Sequence, residues 1–349
     1  MAKILTFFNH KGGVGKTTSS YNVAWALSEL GKHVLMIDAD AQCNLTEISV
    51  EDSVIYGPDK QFLFNSESNY DTNFILKNNI YEYLVSYVQP TPGKELPKIK
   101  FFKKKEAKNL ELLLGSVKFA ELEKTISLSL ANVPGLNHIP MSVYTALKKV
   151  GSDFDFIILD LSPALSATNQ LFLMLSDYFI VPANPSVFSR QALMNLNTIF
   201  RGWNRELAGF EVFNNKLKAL PKLLGIVCQN YRPYSRANEK GTTSAKRFEE
   251  TMIELNNYAH NLARDLNGFG MALTVDEFKK YFTKAQPYRI ADIPDFNQLM
   301  VVSEKEKLPV IALDNKILNR NDLGTEQYRT KVEDFKKEYY FIAEGIASL

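Results

Sequence analysis

The fold is decided by one short stretch, which reads His10-Lys11-Gly12-Gly13-Val14-Gly15-Lys16-Thr17-Thr18. It fits the phosphate-binding pattern G-x-x-x-x-G-K-[ST] except that a histidine stands at the first glycine. An apolar run from Ile4 to Phe8 precedes it, and a helical pattern from Lys16 to Leu30 follows it. Because such a loop binds phosphate between a strand and a helix, the sequence predicts a site for a nucleoside triphosphate.

Each residue type in this loop has a physical task. Gly12, Gly13 and Gly15 permit positive φ, so that backbone N–H groups can turn inward around an anion. The helix N-terminus adds partial positive charge at the same point. Lys16 can reach the β- and γ-phosphates, and the Thr17 hydroxyl can ligate Mg²⁺. We therefore assign nucleotide binding to Lys11, Gly12, Gly13, Val14, Gly15, Lys16, Thr17 and Thr18.

A second lysine, Lys11, lies five positions before Lys16. The arrangement K-G-G-V-G-K-T-T resembles the deviant Walker A motif of the ParA/MinD family of dimeric ATPases, and most closely the partition ATPases of the ParA/Soj type. In that family the first lysine reaches across a dimer interface to the partner's nucleotide. The resemblance therefore implies ATP as ligand, a homodimer that forms with ATP, and a trans role for Lys11.

The next apolar run, His33 to Asp38, leads into Ala39-Asp40-Ala41-Gln42-Cys43-Asn44. This is similar to the D-x-D-x-Q-x-N segment of ParA proteins, with alanine and cysteine where the family usually has proline and glycine. An open α/β sheet binds its ligands at the carboxyl edge of its strands. By resemblance, Asp40 orients the attacking water and Asp38 lies in the outer shell of the metal. Turn or cap roles for both carboxylates are the alternative.

A third apolar run, Phe156 to Asp160, is followed by Leu161-Ser162-Pro163. It resembles the Walker B strand, so Asp160 is expected to hold Mg²⁺ through water. The segment from Leu161 to Asn169 is expected to sense the γ-phosphate. An apolar run that ends in an acid is weak evidence alone. It counts here because it follows the glycine-rich loop and the Asp38–Asn44 segment in the order that the family shows.

Phosphoryl transfer requires positioning and charge stabilisation rather than covalent chemistry. The resemblance assigns this work to Lys11, Lys16 and Asp40, and it assigns the metal to Thr17, Asp38 and Asp160. Neither a catalytic glutamine nor an arginine finger can be read from the sequence. We therefore expect an ATP hydrolase whose slow turnover is stimulated by a partner, which suits a switch better than a metabolic catalyst.

The rest of the chain predicts one domain, residues 1–349, with an α/β fold: a doubly wound, mostly parallel sheet with helices on both faces. Further strands are predicted at Asn109–Leu114, Tyr178–Ala183, Lys222–Cys228 and Tyr288–Ile293. Residues 47–108 are predicted to form a surface insertion around one helix, Asn79–Tyr87, because they exceed the compact ParA pattern. Residues 231–286 are predicted to form a second elaboration. We expect a partner to bind at one of these insertions.

The base of the nucleotide has two candidate sites. Ile293-Pro294-Asp295 is similar to the end of the family pattern, and in relatives the region after that proline borders the adenine. Gln229 or Asn230, just past a predicted strand, is the second candidate. Simple turn roles are the alternative for both.

Two basic stretches bear on nucleic acid. Arg232, Arg236, Lys246 and Arg247 fall within one loop-like segment, and a second group lies between Lys98 and Lys108. The whole chain has a net charge of only +2, so affinity for DNA must come from such local patches. Phosphate contacts of this kind give sequence-independent, salt-sensitive binding. The resemblance favours this interpretation, because ATP-bound dimers of the family coat DNA without sequence preference. The alternative is that both basic stretches are solvated surface loops.

The C-terminal pattern weighs against a membrane-associated protein of the MinD type. Apolar residues at steps of three and four predict an amphipathic helix over Thr325–Leu349, with Thr325 as a plausible cap. Its net charge is about −1, whereas a helix that lies on a bilayer is usually cationic. We therefore expect this helix to dock on the core.

No membrane span is expected, because the longest uninterrupted apolar runs are far too short. No signal peptide is expected either, because Lys3 leads directly into the first strand. The two cysteines, Cys43 and Cys228, have no paired or metal-binding spacing and suggest a reducing compartment. A metabolic relative such as the nitrogenase iron protein would need further cysteines for a bridging cluster.

The sequence therefore favours a cytoplasmic, nucleoid-associated ATPase that partitions or positions a plasmid, a chromosome or other cargo with a ParB-like or other adaptor. A MinD-like membrane-associated switch and the ATPase of a mobile-element or defence assembly are the alternatives.

Overall fold

The computed structural model describes residues 1–55, 73–93, 95–214, 219–231 and 243–349. Within these residues one sheet contains eight strands: β1 (Lys3–Phe7), β2 (Val34–Ala39), β3 (Phe102–Lys103), β4 (Leu110–Leu113), β5 (Phe156–Leu161), β6 (Tyr178–Ala183), β7 (Lys222–Tyr231) and β8 (Arg289–Pro294). Their order across the sheet is β3-β4-β2-β5-β1-β6-β7-β8. The sheet thus has the predicted doubly wound architecture.

All neighbouring strands run parallel except β3, which pairs antiparallel with β4 at one edge and was not predicted. Every residue of β2 and of β5 is buried. Near-continuous apolar runs are what strands covered on both faces require. The register places Asp38 of β2 beside Asp160 of β5, and Asp160 beside Phe7 of β1. The carboxyl ends of these three strands therefore meet at one point.

Helices cover the sheet. They are α1 (Lys16–Glu29), α2 (Asn44–Ser49), α3 (Asp52–Ile55), α4 (Asn73–Lys77), α5 (Ile80–Val88), α6 (Phe119–Leu130), α7 (Ile139–Val150), α8 (Ala167–Leu175), α9 (Val187–Leu207), α10 (Glu211–Asn214), α11 (Thr243–Asn267), α12 (Val275–Tyr281), α13 (Gln298–Glu306), α14 (Asn315–Arg320) and α15 (Glu326–Ala347). A 3₁₀ turn at Val310–Ala312 follows α13.

The C-terminal helix α15 packs along α1, which itself follows the glycine-rich loop. Phe335, Tyr339 and Ile342 of α15 are each 2% exposed or less. This apolar face matches the predicted spacing. Thr325 occupies the N-cap position, but its side chain makes no capping hydrogen bond. The helix is therefore held by packing rather than by its cap.

Residues 47–108, predicted as a surface insertion, are partly in the core. Their predicted helix is α5, which begins and ends one residue later than expected. The Asn79 side chain caps it by accepting a hydrogen bond from the Glu82 N–H at 3.0 Å. Ile80 and Leu84 are fully buried, and α5 packs against α6 and α7. This part of the insertion is therefore a structural layer of the domain.

Within residues 231–286, predicted as a second elaboration, the described part from Thr243 onward belongs to the connection from β7 to β8. The long helix α11 packs on α9 and β7 and buries Leu255, Ala259 and Leu262. Because α11 begins at Thr243, the prediction of a loop-like segment up to Arg247 is wrong for its last five residues. A crossover helix is what two parallel strands require.

Candidate nucleotide-binding site

The loop between β1 and α1 adopts the backbone conformation that an anion site needs at two of its three glycines. Gly13 has φ 69° and Gly15 has φ 74°, whereas Gly12 lies outside the left-handed region. Gly15 is also the N-cap residue of α1. A Cβ at Gly15 would lie 3.2 Å from Oε1 of Gln229, so the end of β7 packs against the loop at this point.

Asn9 braces the start of the loop and was missed by the sequence analysis. It is fully buried; its Nδ2 donates to the Pro182 carbonyl at 2.8 Å, and its Oδ1 accepts from the Lys11 N–H at 3.0 Å. The Lys11 ammonium donates to Oγ of Ser186 at 3.3 Å. The loop is thus tied to β6 and to the connection that follows it. A polar residue directly after an apolar strand was the available signal.

Lys16 lies inside the loop, with 7% of its surface exposed. Its ammonium donates to the Lys11 carbonyl oxygen at 3.1 Å. Burial lowers the pKa of Lys16, and the nearby carboxylates of Asp160 and Asp40 oppose that shift. His10, at the position of the usual first glycine, also has a lowered pKa because of burial and the Lys16 charge. The histidine therefore favours its neutral form beside the lysine.

Asp38 and Asp160 form a buried carboxylate pair. Burial raises the pKa of Asp160 to about 8, with a further contribution from Asp38. Burial likewise raises the pKa of Asp38 to about 7, although hydrogen bonds from the Thr46 side chain and N–H partly oppose it. The Thr17 hydroxyl donates to Asp160 at 2.8 Å. Burial therefore disfavours the charged form of both neighbouring acids, and a nearby positive charge would favour it.

Asp40 lies at the open side of this pair and is held by its own turn. Its carboxylate accepts from the Gln42 N–H at 2.9 Å and from Nδ2 of Asn44 at 3.1 Å. Both Asp40 and Asn44 line the cavity above the loop. The side chain is therefore oriented at the edge of the cavity.

This cavity has a volume of about 430 Å³. It is lined by Gly13, Val14, Gly15, Lys16, Thr17, Thr18, Asp40, Asn44, Ile48, Leu161, Pro163, Gln229, Asn230, Asp295, Phe296, Asn297 and Met300. The structure thus brings together most of the predicted loop residues, Asp40 and both candidates at the end of β7. Lys11 and Gly12 lie beside the cavity rather than in its lining.

Apolar side chains outside the loop also line this cavity. Among them, Ile48 of α2, Phe296 after β8 and Met300 of α13 were not identified from the sequence. Pro294, predicted to contact the base, ends β8 and is absent from this lining, whereas the next residues, Asp295 to Asn297, contribute to it. A flat aromatic base fits such an apolar wall with a few polar groups at its rim.

The four predicted DNA-binding residues lie at or next to the start of α11 or outside the described part of the chain. Arg232 and Arg236 lie outside the described residues. Lys246 and Arg247 lie in the first turns of α11, where the side chains are not described. DNA binding by these four residues stays a prediction.

The second basic stretch is partly neutralised by its surroundings. The Lys103 ammonium pairs with Glu111 at 2.9 Å. Lys104 is 4% exposed and donates to the Ser49 carbonyl and to the Glu51 carboxylate, each at 3.0 Å. Lys104 therefore stabilises the end of α2 and is not accessible to a polyanion.

Among the helices described, none has the length and apolarity that crossing a membrane would require.

A family of proteins described as an AAA domain, AAA_31, matches residues 2–217. The virulence plasmid ParA family protein of Chlamydia psittaci is 30% identical over 201 residues, which are 56% of this chain and 61% of that relative. The sporulation initiation inhibitor protein Soj of Bacillus subtilis is 26% identical over 201 residues, 57% of this chain and 65% of Soj. The chain thus spans slightly less than two thirds of these two relatives.

Among solved structures, a variant of McdA from Cyanothece in complex with ATP superposes with a TM-score of 0.57. It is 16% identical, and the match covers 97% of this chain and 96% of that one. At this identity the likeness concerns the fold, and it extends over almost the whole chain.

Proposed function

The chain belongs to the ParA/MinD family of P-loop ATPases, and from this premise we propose that it is an ATP-dependent dimerising switch of the ParA type. The observation that carries the proposal is the convergence of three sequence segments at one point. The glycine-rich loop, the Asp38–Asn44 turn and the end of β5 meet around a single cavity. This is the arrangement that binding and hydrolysis of a nucleoside triphosphate require.

The phosphates occupy the loop end of the cavity in this proposal. Backbone N–H groups of residues 13–18 and the N-terminus of α1 supply the anion site. Lys16, whose ammonium now donates to a loop carbonyl, turns to the β- and γ-phosphates. The base then lies between Ile48, Phe296 and Met300.

Mg²⁺ fits the buried carboxylate pair. The described residues contain no cluster of three or more histidine, cysteine or carboxylate side chains that could hold a metal by themselves. Thr17, Asp38 and Asp160 instead supply three oxygen-bearing side chains, and Mg²⁺ typically takes its remaining ligands from water and from substrate phosphates. A bound cation would lower the raised pKa of each acid, because it favours both charged forms.

Hydrolysis is assigned to Asp40, which orients the attacking water, and to the charges of Lys16 and Lys11. Bound Mg²⁺ supplies further charge stabilisation. The described residues offer no arginine aimed into the cavity, so we expect slow turnover that a partner stimulates. The trans role of Lys11 requires it to leave Ser186 and reach the nucleotide of a second copy.

We further propose that the ATP-bound dimer binds DNA without sequence preference, through Arg232, Arg236, Lys246 and Arg247. Dimerisation doubles each patch on one rigid body, so a weak monomer becomes an avid dimer. The cargo is a plasmid, a chromosome or another large assembly, and a ParB-like or other adaptor stimulates hydrolysis. The protein would then reside on the nucleoid.

The test is fluorescence anisotropy with random duplex DNA, with Mg²⁺ and either ATP or ADP. We expect binding with ATP only, and a steep loss of affinity with added salt. Charge reversal at the four basic positions should abolish it. Equal binding with ADP, or unchanged binding after charge reversal, would contradict the proposed DNA switch.

A further inference from the structure

One carboxylate on α6 holds the start of α8, the helix that follows the Walker B strand. Glu123 accepts hydrogen bonds from the N–H groups of Ala167 at 2.8 Å and Thr168 at 3.0 Å, and from the Thr168 hydroxyl. The Ser166 hydroxyl accepts from the Asn169 N–H at 3.2 Å. The first three N–H groups of α8, which lack partners within the helix, therefore all donate hydrogen bonds to side chains. Two of them donate to Glu123, which lies 44 positions before Ala167 and 45 before Thr168.

A second residue, Asn169, stabilises the segment between β5 and α8 by hydrogen bonds to its backbone. Asn169 Nδ2 donates to the carbonyl oxygens of Ser162 at 2.9 Å and Ala164 at 2.7 Å, and lies 3.0 Å from the Ser162 hydroxyl. Pro163 and Leu165 between these anchors are exposed. The loop thus has a solvent-facing tip and a base held by Asn169 and Glu123.

The chain just before α6 lies beside Asp38, one of the two proposed metal ligands on neighbouring strands. The Gly115 N–H donates to Oγ1 of Thr46 at 2.8 Å, and that same hydroxyl donates to Asp38 at 2.7 Å. A Cβ at Gly115 would lie 2.8 Å from Oδ2 of Asp38, so only glycine fits there. Four residues later α6 starts at Phe119. The segment from Gly115 to Glu123, which includes the first turn of α6, therefore connects the Asp38 turn to the loop after β5.

We propose that Glu123 is a positioning residue that fixes the segment Leu161–Asn169 and thereby sets how strongly the site distinguishes ATP from ADP. The proposal rests on the proposed nucleotide site, because this segment, through Leu161 and Pro163, lines the cavity. A segment that is already held in one arrangement can contact the additional phosphate of ATP without first being ordered. A segment that is not held must become ordered when ATP binds, and the entropy lost in that step weakens the preference for ATP over ADP.

Hydrogen–deuterium exchange on the parent chain and on Glu123→Ala, Glu123→Gln and Thr168→Val tests the holding role without any nucleotide. We expect exchange in the peptide covering residues 162–175 to be about tenfold faster in Glu123→Ala. Glu123→Gln keeps one acceptor oxygen, so its exchange rate should lie between those of the parent chain and Glu123→Ala. Thr168→Val keeps the hydrogen bonds from both N–H groups to Glu123, so it should show the smallest change of the three variants. The matched control is Glu121→Gln, an exposed carboxylate on the same helix that contacts Tyr81 and should change nothing.

Binding of ADP and of a slowly hydrolysed ATP analogue, each with Mg²⁺, tests the discriminating role. In Glu123→Ala we expect ADP affinity to stay within about twofold, and the preference for the ATP analogue over ADP to fall about fivefold or more. Unchanged exchange, or faster exchange with an unchanged preference, would overturn the proposal. If the parent chain binds neither nucleotide, the proposed function is wrong. The exchange experiment still tests the Glu123 contact in that case, because it is carried out without nucleotide.

Discussion

The two ends of the nucleotide cavity are built in different ways. At the end where we propose that the phosphates bind, one continuous stretch, residues 13–18, contributes to the lining. At the end where we propose that the base binds, Ile48 from α2 and Phe296 and Met300 from the β8–α13 region come from segments about 250 residues apart. Phosphate is recognised by backbone N–H groups, whereas a base is recognised by the shapes of side chains. The phosphate end is therefore specified by one local sequence motif, whereas the base end forms only when distant segments come together in the folded chain.

The first prediction removes the one side chain on which the phosphate end depends. Lys16→Ala should reduce ATP affinity by more than about a hundredfold, because a buried charge-assisted contact to phosphate is lost. Lys11→Ala is the matched control, since it should leave binding to the monomer within about threefold. Isothermal titration calorimetry with Mg–ATP measures both. Tight ATP binding by Lys16→Ala would contradict the assignment of the loop.

The second prediction separates binding from hydrolysis at the phosphate end. Asp40→Ala should lower kcat by about a hundredfold, because the attacking water loses its orientation, while ATP affinity stays near that of the parent chain. A phosphate-release assay at saturating ATP measures turnover. Comparable rates in the variant and the parent chain would remove Asp40 from the mechanism.

The third prediction concerns the base end, where we expect a smaller effect. Met300→Ala should weaken ATP affinity about three- to tenfold, because it removes apolar surface from the wall of the cavity. Val301→Ala on the same helix is the control, since Val301 is 66% exposed and lies outside the lining. Equal effects of the two variants would show that the base does not lie against α13. Inorganic triphosphate binding should be unaffected by either change.

The fourth prediction uses the pH dependence of stability without nucleotide or metal. The native pKa values of Asp38 and Asp160, about 7 and about 8, exceed those of an unfolded chain. Between pH 4 and pH 8, roughly, the native state therefore binds more protons than the unfolded state, and the free energy of unfolding falls as pH rises. Thermal melts at a series of pH values should show Tm falling through this range, and Asp160→Asn should flatten the trend.

The control for that measurement is saturating Mg–ATP, which should stabilise the parent chain most at the upper end of the range, where both acids are ionised. A Tm that rises between pH 5 and pH 8, roughly, in the parent chain but not in Asp160→Asn would contradict the raised pKa values.

The phosphate end could be predicted because its information is local. The loop follows from residues 10–18, and two apolar runs that each end in an acid predict that Asp38 and Asp160 lie at the carboxyl edge of the sheet. Parallel strands bring their carboxyl ends to one edge, whereas the adjacency of β2 and β5 follows only from the structure. Among the strands of the described residues, the same reasoning located seven of eight, and the one it missed there is the two-residue edge strand β3.

The remaining features depend on long-range contacts. Glu123 and Asn9 act through backbone groups far away in the chain, and no local pattern marks such partners. The helix α5 was assigned to a surface insertion because polar residues surround it, although its own apolar face is buried by α6 and α7. Periodicity identifies an amphipathic helix, but it does not say which surface covers it.

We propose that ATP, and not ADP, brings two copies of this chain together through the phosphate ends of their cavities. Sedimentation velocity of the parent chain with Mg–ATP or a slowly hydrolysed analogue, and separately with Mg–ADP, measures this association. We expect a species of twice the monomer mass with ATP and a monomer with ADP. We also expect that Lys11→Ala binds ATP yet stays monomeric. An ATP-bound monomer, or a dimer that persists in Lys11→Ala, would contradict ATP-dependent dimerisation through Lys11.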